Sequence, residues 1–261
     1  MKVVLFCGGQ GMRLRESYEE IPKPMVPVGY RPILWHLMKY YAHFGHKDFI
    51  LCLGYRADVI KQFFLEYEEA VSNDFVLTGG GTERVLLGSD IDDWTITFVD
   101  TGLHAEIGER LRRVRKHLDG EEMFLANYAD GLTDLDLNAY IEQAKQRGQT
   151  GAFLAVRPPS SYHVATVDDK DNAVGLGPIA GADLWLNGGY FVFRSEIFDY
   201  IEEGEDLVSE PFHRLIENEQ LYAHRFEGFW SPMDTFKEKQ YLDGLYEVGP
   251  APWALWKNGD E

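Results

Sequence analysis

Short apolar runs alternate with helix-type patterns along the first half of the chain. The runs are typical of buried β-strands, and they cover Lys2 to Phe6, Asp48 to Leu53, Trp94 to Val99 and Met123 to Tyr128. Apolar residues at helical spacing fill the stretches between and after them, namely Pro32 to Gly45, Ala57 to Ala70, Arg110 to Leu118 and Asp136 to Arg147. This alternation predicts an α/β fold with a doubly wound, mainly parallel but mixed sheet flanked by helices.

The pattern changes after Gln149. Three strand-type runs, at Ala152 to Val156, Tyr162 to Val167 and Tyr190 to Phe193, are separated by clusters of Pro, Gly, Ser and Asp, which predicts a mixed, β-rich second lobe. A last helix is expected from Phe236 to Tyr246. Because no linker-like segment separates the halves, we predict one domain over residues 1–261, with lobes of about 1–148 and 149–261.

Charge and composition narrow the function. The chain has 25 basic and 43 acidic residues, a formal charge of −18, which argues against a broad contact with nucleic acid or anionic lipid. No apolar run is long enough to cross a bilayer and no signal peptide is evident, so a cytoplasmic protein is expected. The two cysteines, Cys7 and Cys52, lie in apolar runs and are interpreted as buried thiols.

A glycine-rich turn follows the first predicted strand. The segment GGQGMRL at 8–14 offers backbone N–H groups that suit phosphate oxygens. It matches neither the dinucleotide fingerprint nor a P-loop, because Leu14 stands in place of a glycine and no Gly-Lys-Ser/Thr is present. Two cations lie beside it, Arg13 and the proline-flanked Lys23. Together they could bind a polyphosphate, or they could be solvated residues of a surface turn.

Two aspartates come at the ends of apolar or aromatic segments. Asp130 follows a predicted strand, and Asp234 ends the segment GFWSPMD. Together they could hold one Mg²⁺ that also contacts phosphates, although single aspartates more often cap helices or form turns. The pair Asp134 and Asp136 resembles the Asp-x-Asp of glycosyltransferases, but it directly precedes a helix and is interpreted as a cap.

With these residues in hand, the chain resembles the sugar-phosphate nucleotidyltransferase family over nearly its whole length. Within that family it is most similar to the bacterial cytidylyltransferases that act on glucose 1-phosphate. The resemblance is carried by GGQGMRL at 8–14, PKPMV at 22–26, PILWH at 32–36, GY at 54–55, VDTG at 99–102, GERLRRV at 108–114, NGGYF at 187–191 and GFWSPMDT at 228–235.

The resemblance implies a Rossmann-like fold and a magnesium-dependent reaction. The phosphate of an acceptor attacks the α-phosphorus of CTP, a CDP-linked product forms and pyrophosphate leaves. Arg13 and Lys23 are implied as the catalytic cations, and Asp130 and Asp234 as the Mg²⁺ ligands. The implied nucleotide-binding residues are Phe6, Cys7, Gly8, Gly9, Gln10, Gly11, Met12, Arg13, Lys23, Arg110 and Ala129. The first lobe would bind nucleotide and the second the acceptor, and a homo-oligomer is expected.

The chain departs from the family pattern at several positions. Met12 replaces a threonine, and Ala129 replaces a glycine beside Asp130. Where the family has a lysine that grips the sugar 1-phosphate, the chain reads GLGPIA at 175–180. Another cation such as Arg157 could replace this lysine, the acceptor could differ from glucose 1-phosphate, or acceptor chemistry could be lost. The expected acceptor-binding residues are Tyr162, His163, Asp183, Asn187 and Gly188, with Trp185 beside them.

Three functions therefore remain open. The first is transfer of CMP from CTP to a phosphorylated small molecule, with UTP or dTTP as the alternative nucleotide. The second is a glycosyltransferase that uses Asp134 and Asp136 for its metal. The third is a nucleotide binder without catalysis. Pyrophosphate release from the nucleotide distinguishes the first from the other two.

Overall fold

The computed structural model describes residues 1–9, 21–158, 163–179 and 182–257. Within these ranges no helix has both the length and the apolar character needed to cross a membrane. The α-helices, numbered in chain order, are α1 (Ile33–His43), α2 (Ala57–Leu65), α3 (Ile107–Val114), α4 (Leu137–Arg147), α5 (Glu210–Glu217) and α6 (Phe236–Val248).

The strands are short and are numbered in the same way. They are β1 (Val3–Phe6), β2 (Pro27–Val28), β3 (Arg31–Pro32), β4 (Asp48–Leu53), β5 (Phe75–Thr78), β6 (Glu83–Leu86), β7 (Thr95–Asp100), β8 (Met123–Asn127), β9 (Gly131–Thr133), β10 (Gly151–Val156), β11 (His163–Val167), β12 (Ala173–Pro178), β13 (Leu186–Asn187), β14 (Phe191–Arg194), β15 (Leu221–Phe226) and β16 (Trp230–Pro232).

The largest sheet runs through both halves of the chain. Its strand order is β13-β10-β14-β8-β1-β4-β7, and β15 also pairs with β10. The pairs β1–β4, β1–β8, β4–β7 and β10–β15 are parallel. Strand β14 is antiparallel to β8 and β10, and β13 is antiparallel to β10. The prediction of a mainly parallel, mixed sheet is confirmed.

Helices cover both faces of this sheet. Along β1 the side chains alternate, as a strand requires: Val3 and Leu5 pack with α1, α4 and the chain near Trp253, whereas Val4 and Phe6 pack with α3 and α5. Each face therefore has its own buried cluster. The double layer explains why the predicted strands are continuous apolar runs with no polar alternation.

One predicted helix is too long. The stretch 57–70 is helical only to Leu65, and a separate 3₁₀ turn covers Glu69–Val71. The intervening chain is held by tertiary contacts, because the Tyr67 hydroxyl accepts a hydrogen bond from Trp35 Nε1 at 2.7 Å and the Glu68 carbonyl accepts one from Arg31 Nη2 at 2.7 Å. Such contacts over long sequence separations override helical periodicity.

The carboxyl ends of the parallel strands define the edge at which the site forms. From β1 the chain proceeds toward β4 on one side, whereas from β8 it proceeds toward β14 and β10 on the other. A crevice at such a reversal of direction is the usual ligand site of open α/β sheets. Gly8 and Gly9 closely follow β1, and Asp130 closely follows β8, so all three lie beside this crevice.

Candidate active site

Lys23 is fixed at the crevice by its proline neighbours. Pro22 is extended, with φ −65° and ψ 144°, and a 3₁₀ turn spans Lys23–Met25. The Met25 N–H donates to the Pro22 carbonyl at 2.7 Å and the Val26 N–H to the Lys23 carbonyl at 3.1 Å. Because each proline fixes its own φ and also restricts the residue before it, the backbone of Lys23 is held and its side chain starts from a fixed point at the crevice.

A short two-stranded ladder brings the two candidate aspartates together. Strands β9 and β16 are antiparallel, with Gly131 opposite Pro232. One residue beyond this pair, the Met233 N–H donates to the Asp130 carbonyl at 2.9 Å. Asp234 is placed next in the chain, and its N–H donates to Glu238 Oε2 at 2.8 Å. The ladder and the start of α6 thus hold the two aspartates together, although they are 104 positions apart in the sequence.

Both carboxylates contact the Lys23 ammonium. Nζ donates to Asp130 Oδ2 at 2.6 Å and also to Asp234 Oδ1. Burial alone would lower the pKa of Lys23, but the charges of Asp130 and Asp234 and their hydrogen bonds outweigh burial, so the pKa is raised above its ordinary value. The ammonium therefore stays charged between two carboxylates.

Arg110 is a buried clamp that contacts Gly8, the residue at which the glycine-rich segment begins. Its guanidinium, on α3, donates to the carbonyls of Leu53, Gly102, Gly8 and Leu103 and to the hydroxyl of Thr101, at 2.7 to 3.4 Å. These acceptors lie after or at the ends of β1, β4 and β7. One side chain thus ties three strand ends together at the crevice edge.

Glycines make room for this clamp. A Cβ built on Gly8 would lie 2.1 Å from Arg110 Nη1, and one built on Gly54 would lie 2.9 Å from the same atom. The two glycines are therefore needed for close approach of the guanidinium to the backbone. Since its N–H groups are directed to protein acceptors, Arg110 holds the Gly8 carbonyl against the ends of β4 and β7. Whether it also contacts nucleotide stays a prediction.

The described part of the glycine-rich loop begins at the end of β1. Phe6 and Cys7 have buried side chains, so only their backbones could face a ligand, whereas Gly9 is exposed. Both thiols, Cys7 and Cys52, are free and buried as expected, and burial raises the pKa of Cys7 well above its ordinary value. The predicted residues Gln10, Gly11, Met12 and Arg13 lie outside the described residues.

Ala129 adopts a conformation that usually belongs to glycine. Its φ is +66°, it is fully buried, and its N–H donates to Asn127 Oδ1 at 3.3 Å. The left-handed region costs a residue with a Cβ about 1–2 kcal/mol. The turn that presents Asp130 is therefore held in place by its surroundings. Contact of Ala129 with nucleotide stays a prediction.

Two of the predicted acceptor residues contact the segments that carry the aspartates. Asn187 Nδ2 donates to the Tyr128 hydroxyl at 3.0 Å, and the Gly188 carbonyl accepts from Trp230 Nε1 at 3.0 Å. Tyr128 and Trp230 adjoin the segments that carry Asp130 and Asp234, and pattern reasoning missed both. The sequence offered one signal for them, because each is an aromatic residue a few positions before a candidate metal-binding aspartate.

The other predicted acceptor residues lie farther along the second lobe. His163 is exposed at the start of β11, on the hairpin that β11 forms with β12. Asp183 is exposed, and its Oδ1 accepts a hydrogen bond from Trp185 Nε1 at 3.2 Å. Tyr162 lies outside the described residues.

An arginine pair surrounds Trp185. The guanidinium carbon of Arg157 is 4.0 Å from the centroid of this ring and that of Arg225 is 5.3 Å away. Arg157 also pairs with two exposed carboxylates, Asp183 at 3.4 Å and Glu227 at 3.8 Å. Because β8 and β10 are both antiparallel to β14, Arg157, which follows β10, lies on the same sheet edge as Asp130.

The Asp-x-Asp pair has structural roles. Asp136 caps α4 by accepting a hydrogen bond from the Ala139 N–H at 3.0 Å, which confirms its interpretation as a cap. Asp134 Oδ1 accepts one from the Phe229 N–H at 2.8 Å, so it braces the segment that leads into β16. Within the described residues, no group of three or more His, Cys, Asp or Glu side chains could hold a metal ion.

Comparisons with known proteins agree with this architecture. HddC from Yersinia pseudotuberculosis superposes with a TM-score of 0.67 at 17% identity, over 94% of the chain and 99% of HddC, and this likeness shows that the two share a Rossmann-like fold. Residues 2–248 match the family Nucleotidyl transferase. The chain belongs to that family.

Two relatives are similar over nearly their whole length. The glucose-1-phosphate cytidylyltransferase of Salmonella typhi is 37% identical over 258 residues, which cover 98% of the chain and 100% of that protein. A Bacillus subtilis (strain 168) protein, named as a probable glucose-1-phosphate cytidylyltransferase, is 34% identical over 258 residues with the same coverage of both. The resemblance inferred from the motifs is confirmed.

Proposed function

We propose that the protein transfers CMP from CTP to a sugar 1-phosphate, forming a CDP-linked sugar and pyrophosphate. The observation that carries this proposal is the convergence of Lys23, Asp130 and Asp234 beside the loop that follows β1, in a chain 37% identical to a glucose-1-phosphate cytidylyltransferase. Nucleotidyl transfer needs this combination, since cations and carboxylate-held metal stabilise the charge that develops on phosphate oxygens.

The residues present fit a magnesium ion. Two carboxylates from separate segments approach so closely that one ammonium contacts both. Mg²⁺ is commonly held by one or two carboxylates and completes its coordination with phosphate oxygens and water. Asp130 and Asp234 would hold the ion, which supplies positive charge to the phosphates of the bound nucleotide.

The chain's own groups divide the remaining work. Lys23 binds and neutralises the phosphate at which the new bond forms, and Arg110 keeps the loop after β1 in the shape that receives the triphosphate. The acceptor phosphate is an anion at neutral pH, so it attacks without a general base. Binding holds the acceptor phosphate close to the α-phosphorus of CTP and in line for attack. This positioning lowers the barrier of a reaction between two anions.

For the acceptor we propose that Arg157 and Arg225 take the place of the family's lysine. Both lie against Trp185, whose partner Asp183 is on the predicted acceptor side. The carboxylates that pair with Arg157 are 85% and 75% exposed, and exposed pairs of this kind are weak enough for a phosphate to displace. Glucose 1-phosphate is the first acceptor to test, and other phosphorylated sugars follow. A cytoplasmic location and a homo-oligomer complete the proposal.

A pair of matched variants tests the metal ligands. Asp234→Asn should lower metal-dependent pyrophosphate release at least about a hundredfold, because it removes charge from the site. Asp136→Asn is the control, since asparagine caps a helix about as well as aspartate, and it should keep full turnover. The two variants differ in position and not in chemistry.

The opposite pattern would place the metal elsewhere. If Asp136→Asn abolished pyrophosphate release and Asp234→Asn did not, the metal would be held by the Asp-x-Asp pair, and Asp130 and Asp234 would lose their role in the proposal. Full activity of both variants would remove the carboxylate-held metal from the proposal.

A further inference from the structure

The position of Lys23 has a consequence for metal binding. Its ammonium lies between Asp130 and Asp234, where a cation that bound both carboxylates would also have to lie. The side chain of Lys23 is 14% exposed, whereas those of Asp130 and Asp234 are 27% and 40% exposed. Among the residues that the structure describes, Lys23 is the one cation within 4 Å of either carboxylate.

We propose that Lys23 is an internal substitute for the metal, which occupies the carboxylate pair in the free protein and leaves it when nucleotide arrives. The inference rests on the proposed function, because it takes Asp130 and Asp234 as the metal ligands. It adds an order of events: nucleotide is required for tight metal binding, and the metal alone binds weakly.

Electrostatics gives the reason. Among the described residues, two carboxylates and one ammonium give the site a single net negative charge, which attracts a dication less strongly than two unpaired carboxylates would. A metal that entered while the ammonium stayed would meet like charge at contact distance. Triphosphate oxygens offer the ammonium new partners, and once it moves to them both carboxylates become available to the metal.

The local structure permits this movement. The backbone of Lys23 is fixed by the 3₁₀ turn between two prolines, while its four-carbon side chain retains several rotamers. The carboxylates are fixed by other elements, through the bond from the Met233 N–H to the Asp130 carbonyl and the bond from the Asp234 N–H to Glu238. A change of rotamer at Lys23 therefore lets the metal replace the ammonium while Asp130 and Asp234 stay in place.

Binding of Mn²⁺, followed by the loss of the free-ion signal in electron paramagnetic resonance, measures this directly. Mn²⁺ suits the same oxygen ligands as Mg²⁺. Without nucleotide, at pH 8, Lys23→Met should bind Mn²⁺ at least about tenfold more tightly than the unchanged protein, since removing the ammonium leaves both carboxylates unpaired. Lys23→Gln, which keeps a hydrogen-bond donor, should behave in the same way if the methionine variant folds poorly.

Two further variants serve as controls. Lys145→Met removes an exposed lysine that pairs with Glu142 on α4 and should leave Mn²⁺ affinity unchanged. Asp130→Asn combined with Lys23→Met should lose the gain. CTP itself binds Mn²⁺, and this contribution is measured without protein and subtracted. After that subtraction, CTP should raise the Mn²⁺ affinity of the unchanged protein by a larger factor than it raises the affinity of Lys23→Met.

The outcomes separate the inference from the proposed function. If the unchanged protein bound Mn²⁺ as tightly as Lys23→Met, and Asp130→Asn abolished both, the metal site would stand and the substitution by Lys23 would be refuted. If no variant bound Mn²⁺ through Asp130, with or without CTP, the carboxylates would not be metal ligands, and both proposals would fall.

Discussion

Replacing Arg110 by methionine tests whether this side chain is a clamp of the fold. Methionine keeps much of the volume and removes the guanidinium with its five hydrogen bonds. Hydrogen bonds from a charged group contribute about 1.5–3 kcal/mol each, but they are not additive. Methionine would leave these neutral acceptors without a donor, and an unsatisfied buried polar group costs about 1–3 kcal/mol, again not additively. Since methionine itself tolerates burial, we expect a total loss of about 3 kcal/mol.

The assay is equilibrium unfolding in urea, with thermal unfolding as a second measurement. A loss of about 3 kcal/mol should lower the midpoint temperature by about 6–12 °C for a chain of this size. Arg112→Met is the matched control, on the same helix. The side chain of Arg112 is 39% exposed, its pair with the exposed Glu203 is weak, and the buried Glu109 would keep Arg113 as a partner, so its loss should cost clearly less than that of Arg110.

Equal stabilities of the Arg110→Met and Arg112→Met variants would refute the role of Arg110 as a clamp of the fold. If Arg110→Met unfolded at the same urea concentration as Arg112→Met and yet failed to bind CTP, the guanidinium would act on the ligand and not on the loop. If both stability and CTP affinity fell, the loop would depend on the clamp for its shape.

Three further results are expected. Arg157→Gln should raise the KM for the sugar phosphate about tenfold or more and leave that for CTP unchanged; equal rises would place Arg157 elsewhere. Ala129→Gly should change the free energy of unfolding by less than about 1 kcal/mol, whereas Ala129→Val should cost more than about 2 kcal/mol, because its φ of +66° is hard for a β-branched residue. His36 accepts from Trp253 Nε1 and contacts the Val28 carbonyl, and burial lowers its pKa from 6.5 to about 4. The unfolded chain then binds more protons between these values, so His36 contributes a loss of about 3 kcal/mol of stability as the pH falls from about 6.5 to 4. In urea titrations His36→Gln should remove this share and leave that of His46, whose pKa burial also lowers to about 4.

The sequence was sufficient to predict the strands that bury a continuous apolar run and the helices that bury one apolar face. Strand β4 has the bounds that its run predicts, and helix α4 begins after its predicted cap, Asp136, and ends before Gly148. These elements are encoded by local pattern and by local capping. The resemblance in motifs also identified the family, because the matching motifs are spread along nearly the whole chain.

The parts that the pattern missed depend on distant partners. The ladder between β9 and β16 has three residues on each side, too few for a periodic signal, yet it decides that Asp130 and Asp234 meet. The inward direction of Arg110 was equally hidden, because an arginine on a charged helix is usually exposed. Its partner glycines, Gly8 and Gly54, carried the only signal, as positions where a backbone must come close to another group.

The most direct test of the proposed function is pyrophosphate release with Mg²⁺, CTP and glucose 1-phosphate, set beside the same reaction with UTP, dTTP and other phosphorylated sugars. We expect release with CTP and at least one sugar 1-phosphate, at a rate that depends on both substrates. Release with CTP and a different sugar phosphate would keep the nucleotide side of the proposal and change the acceptor. No release with any pair, although CTP binds, would contradict nucleotidyl transfer and leave a nucleotide-binding protein.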